Sequence, residues 1–79
     1  MEEVKRDVYV RFFEEKEEDK VEDDLNAFVD CVDTGFDDFG VPYKEYQFFN
    51  CSNATINKIL SLIATLCYVE VNILTSEAE

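Results

Sequence analysis

Residues 21–36 read Val21-Glu22-Asp23-Asp24-Leu25-Asn26-Ala27-Phe28-Val29-Asp30-Cys31-Val32-Asp33-Thr34-Gly35-Phe36. The period assigned to this stretch decides how many strands the chain contains. Counted as a helix, Val21, Leu25, Phe28, Val29, Val32 and Phe36 fall at i, i+4, i+7, i+8, i+11 and i+15, one stripe of an amphipathic helix. Gly35 then takes the place of a helix C-terminal glycine, which sets the helix at residues 17–34. The competing reading puts residues 28–32 in a strand and makes the preceding acidic run a loop, because short apolar runs are ambiguous by periodicity alone. The helix is the preferred reading.

Upstream of it, residues 4–13 alternate. Val4, Val8, Val10 and Phe12 lie on one side, and Tyr9, Arg11 and Phe13 on the other, as in a strand. Downstream, residues 36–42 form a turn region punctuated by Gly40 and Pro42. Residues 43–49 are aromatic-rich and read as a second strand, with Pro42 acceptable at its start. Ser52 or Asn53 is the expected N-cap of a second helix running to about residue 66. Its buried face is Ile56, Ile59, Leu60, Ile63, Leu66 and Cys67, widened by Leu62. Residues 68–75 alternate again, with Val69, Val71 and Ile73 inward, before a polar tail. The expected fold is a β-α-β-α-β two-layer α+β domain, a three-stranded sheet with both helices on one face.

Seventy-nine residues are read as a single domain spanning 1–79, near the lower limit for a self-sufficient core. Such a core supplies about 3–5 kcal/mol, so homodimerisation would be an easy way to bury more apolar surface. A hydrophobic content of 47% with eleven Phe and Tyr residues argues against disorder. Neither a signal-peptide run near the N-terminus nor a membrane-spanning stretch is visible, and a cytoplasmic protein is expected, in a host cytoplasm if the source is viral. Cys31, Cys51 and Cys67 form no C-x-x-C pair and read as reduced, packed thiols.

Charge is the strongest functional signal. Residues 14–38 hold twelve acidic residues against Lys16 and Lys20, leaving −10 of the formal −12. So much like charge disfavours the compact state through self-repulsion. Seven scattered Lys and Arg residues make no basic footprint for nucleic acid, and an anionic membrane would repel the chain. The expected partner is therefore a basic protein, with no direct nucleic-acid or membrane contact. Drawn as one helix, residues 14–38 would span about 37 Å. That is roughly one net charge per 3.7 Å, near the 3.4 Å of a single nucleic-acid strand.

Catalytic and metal chemistry find little purchase. The chain has no histidine, the usual general acid–base at neutral pH. It has no P-loop, dinucleotide fingerprint or nucleophile–histidine pair. Asp30, Asp33, Asp37 and Asp38 cluster in sequence but miss the calcium-loop spacing, and zinc lacks its His and paired Cys. No cofactor, no metal and no enzymatic activity are expected.

One local match points elsewhere. Cys31-Val32-Asp33-Thr34-Gly35-Phe36-Asp37-Asp38 resembles the active-site loop of retroviral-type aspartic proteases, apolar-Asp-Thr-Gly-x-Asp-Asp. In that family each subunit of a homodimer supplies one such Asp, and two carboxylates sharing a proton activate water. The resemblance implies Asp33 as the catalytic carboxylate of a dimeric enzyme. It spans eight of 79 residues, and the family's glycine-rich flap and later apolar-apolar-Gly segment have no counterpart, Gly35 and Gly40 being the only glycines. The competing reading makes Asp33-Thr34-Gly35 the end of the preceding helix.

The functional expectation is a small, acidic, non-catalytic inhibitor that covers the nucleic-acid-binding surface of a basic protein by mimicking phosphate charge. In size and charge alone the chain is similar to phage and plasmid counter-defence proteins of the anti-CRISPR and anti-restriction kind. Partner contacts are expected from Glu15, Glu18, Asp19, Glu22, Asp23, Asp30, Asp33, Asp37 and Asp38. Tyr43 and Tyr46, with Tyr68, are expected beside them as exposed aromatics, the competing reading being that they only cover the open sheet face. The alternative is an acidic adaptor, immunity protein or antitoxin, and the remote one is the Asp33 protease.

Overall fold

The alternation of residues 6–12 does build a strand, and its even positions choose the core. In the computed structural model, which describes residues 4–75, the elements are β1 (Arg6–Phe12), α1 (Glu15–Asn26), β2 (Cys31–Phe36), β3 (Pro42–Cys51), α2 (Asn53–Ile63) and β4 (Val69–Thr75). The sheet runs β2-β3-β1-β4 with each neighbouring pair antiparallel. Element order and strand order together are those of the split-βαβ, ferredoxin-like arrangement. The polar tail read at residues 76–79 lies outside the described residues.

The sheet has four strands, and the expected three-stranded sheet is corrected by residues 31–36. These pair in unbroken register with β3, from Cys31↔Gln47 to Phe36↔Pro42. The helix ends at Asn26 instead of residue 34. Two physical reasons favour the strand. Asp30 and Asp33 would sit at the negative end of a longer helix dipole, whereas Val32 and Thr34 are β-branched and suit an extended chain. The turn at residues 37–41 then lets the segment fold back on β3. Gly40 adopts a φ of +81° there, and Asp37 accepts the N–H groups of Phe39 and Val41, both at 2.8 Å.

Gly35 is therefore a strand residue and not a helix cap. It stands opposite Tyr43, and a Cβ at this position would lie 2.8 Å from the tyrosine hydroxyl. Glycine here makes room for the ring.

Val8, Val10 and Phe12 of β1 share one buried cluster with Tyr46, Phe48 and Cys51 of β3, Val21 and Leu25 of α1, and Ile56, Ile59 and Ile63 of α2. Each fully buried side chain of this size contributes about 1.5–3 kcal/mol. Ser52 caps α2, its side chain accepting the Thr55 N–H at 3.3 Å. Helix α2 stops at Ile63 and buries Ile56, Ile59 and Ile63; Leu62 and Leu66 are only partly buried, and Leu60 and Cys67 are exposed. Among the expected inward residues of β4, Val69 and Val71 are half-buried, and Ile73 is exposed. One extra β3 residue opposite Asp7 breaks the β1–β3 register. Asn50 absorbs it at a φ of +54°, with its N–H on the Asp7 carboxylate at 3.0 Å.

Candidate functional site

Helix α1 carries seven of the acids, and its buried stripe explains why one of them is unlike the rest. Val21 and Leu25 face the core, and Glu18, one turn earlier, falls in line with them. Its residue is 6% exposed. A bare carboxylate there would be costly, and two donors remove the cost. The Tyr46 hydroxyl donates to Glu18 Oε2 at 2.6 Å, and Lys44 Nζ lies 2.8 Å from the same oxygen. The bond to Glu18 raises the Lys44 pKa. Burial, and then the same carboxylate, push the Tyr46 phenol well above its ordinary value. Glu18 and Tyr46 thus belong to the core, away from any exposed contact surface.

Tyr43 and Tyr46 part company because they stand three positions apart on one strand, an odd spacing that puts them on opposite faces. Tyr43 lies on the face turned away from the helices, with the Arg11 guanidinium carbon 4.3 Å from its ring centroid. Strand register places Asp33, Glu45, Arg11 and Glu70 in one row across that open face. Arg11 Nε is 2.8 Å from Glu45 Oε2, and its Nη1 is 3.9 Å from Glu70 Oε1. The hydrogen bond to Glu45 raises the Arg11 pKa. Asp33 stands beside Glu45 and, among the described residues, has no cation of its own; its Oδ1 accepts the neighbouring Thr34 N–H at 2.8 Å.

The expected acidic surface is divided as a result. Glu15, Asp19 and Asp23 are exposed on α1 and Glu22 is half-buried, with Lys16 and Lys20 among them. The continuous rail of about 37 Å is replaced by a 12-residue helix about 18 Å long. Asp30 secures an edge: its carboxylate accepts the Phe49 N–H at 2.7 Å, and its own N–H donates to Gln47. Asp37 shapes the hairpin turn, and Asp38 is exposed beside it. Asp33-Thr34-Gly35 runs through the middle of β2, so the protease-like octapeptide is a strand and turn.

Glu17 was absent from the expected contacts and has a structural task. Its carboxylate accepts the N–H groups of Cys67 and Tyr68, each at 2.8 Å, tying α1 to the chain entering β4. Nothing in its acidic neighbourhood distinguishes it in sequence. Tyr68 is exposed, with its N–H on Glu17 of α1. Among the described residues no group of three or more Cys, Asp or Glu could hold a metal ion. No helix among them is long and apolar enough to cross a membrane.

Compared with protein-family models, curated proteins and solved structures, the chain matches none.

Proposed function

We propose that the chain is a small non-catalytic inhibitor that binds a basic, nucleic-acid-binding protein and covers the surface its nucleic acid would occupy, as anti-CRISPR and anti-restriction proteins do. The observation that carries this reading is how the cations are used. Arg11 and Lys44 are committed to carboxylates that shape the fold. Among the described residues Glu15, Asp19, Asp23, Asp33 and Asp38 have no Lys or Arg within ion-pairing distance. Exposed carboxylates left without counter-charges steer a cationic partner and speed its association.

The split into two acidic sets, one on α1 and one on β2 and its turn, fits a folded protein groove better than a straight rail. The test is affinity capture from the native host, followed by elution with nucleic acid. A nucleic-acid-binding protein released by competing DNA or RNA supports the reading. A captured protein that stays bound in excess nucleic acid fits an adaptor or antitoxin and contradicts it.

A further inference from the structure

The end of β1, the first turn of α1 and the root of the β2–β3 hairpin meet around a hollow of about 500 Å³. Phe13, Glu15, Thr34, Phe36 and Tyr43 are among its lining residues. Phe36 is 66% exposed, an unusual amount of bare ring for a strand residue. At the inner wall Glu18 and Lys44 are committed to each other. Glu15 is therefore the carboxylate with charge to spare, and the negative field of Glu22 and Asp19 reaches Lys44 on the inner wall.

The molecule already builds a related environment on the open face. There Arg11 lies against the Tyr43 ring and pairs with Glu45. Aromatic rings beside a carboxylate accept a planar guanidinium better than a compact, strongly hydrated ammonium.

We propose that this hollow seats an arginine side chain of the basic partner, its guanidinium on the Glu15 carboxylate and against the Phe36 ring. The proposal rests on the basic-partner reading above and adds where the anchoring residue goes. A second copy of the chain is a poor occupant, since it brings a charge of −12 to an acidic margin.

The test is an NMR titration of the isotopically labelled protein with end-capped nona-arginine and nona-lysine peptides at low salt. Nona-arginine should bind about two- to fivefold tighter, the size of an exposed cation–π contact. The largest shifts should fall at Thr34, Phe36 and Tyr43. Phe36→Ser and the bulk-preserving Phe36→Leu should both erase the arginine preference while the rest of the spectrum stays in place. Asp19→Asn with Asp23→Asn should weaken both peptides alike. Equal affinities, a preference that survives both Phe36 variants, or shifts confined to the outer side of α1 would overturn the seat and leave the basic-partner reading standing. Failure of both peptides to bind would overturn the two together.

Discussion

Asp33 and Glu45 stand directly opposite each other in the β2–β3 ladder, two carboxylates on the open face of the sheet. Arg11 answers Glu45 and leaves Asp33 unanswered. Like charges directly opposite in an antiparallel pair destabilise it. A lysine at residue 33 would replace this repulsion with an attraction.

Reversing the charge should therefore stabilise the fold. Asp33→Lys converts a repulsive cross-strand pair into an attractive one, a gain of about 0.2–1 kcal/mol. In a domain this small that raises Tm by roughly 1–8 °C. Thermal unfolding followed by circular dichroism checks it, and an unchanged or lower Tm contradicts it.

The buried knot around Glu18 makes a second prediction, with a sign in pH. Lys44 and Tyr46 both hold their protons more tightly folded than unfolded. Their contribution is therefore complete below the ordinary tyrosine value of 10.0 and is lost as pH climbs through their raised folded values. This contribution should be flat between neutral pH and that window, and stability should fall above it. One of the four tyrosines should ionise only as the fold opens, visible in the ultraviolet tyrosinate band. Tyr46→Phe removes that late tyrosine and costs about 1–3 kcal/mol by leaving Glu18 short of a donor. Four tyrosines ionising together, well before unfolding, would contradict the burial of Tyr46.

Backbone conformation gives a third. Gly40 and Asn50 both sit at positive φ, where a Cβ costs about 1–2 kcal/mol. Gly40→Ala and Asn50→Val should each destabilise by roughly that amount, whereas Asn50→Gly should be nearly neutral. Denaturant midpoints of the three variants decide it. Equal losses for Asn50→Val and Asn50→Gly would mean the Asn50 side chain matters more than its backbone.

Much of this fold was readable beforehand. The alternation of Val8, Val10 and Phe12, the Ser52 cap and the Ile56-Ile59-Ile63 stripe all carry signals that local chemistry alone imposes. Residues 28–36 misled because Phe28, Val29 and Val32 satisfy a helical spacing while belonging to a connection and a strand. What settles them is pairing with β3, a contact that no local period encodes. Tyr46 was legible in principle, since it shares parity with Phe48 and not with Tyr43. The acids were not. Glu17, Glu18 and Asp30 look like the others in sequence, and only the backbone N–H or side-chain donor that arrives from elsewhere in the fold separates them from Glu15, Asp19 and Asp38.

The most direct measurement compares capture of the proposed basic partner by the native chain with capture by one combined variant, Glu15→Gln, Asp19→Asn, Asp23→Asn, Asp33→Asn and Asp38→Asn. All five side chains are exposed, and circular dichroism should show the variant as folded as the native chain. Capture should fall by at least about tenfold, a loss of roughly 1.4 kcal/mol. Undiminished capture by the amide variant would show that these carboxylates serve only to keep the protein in solution.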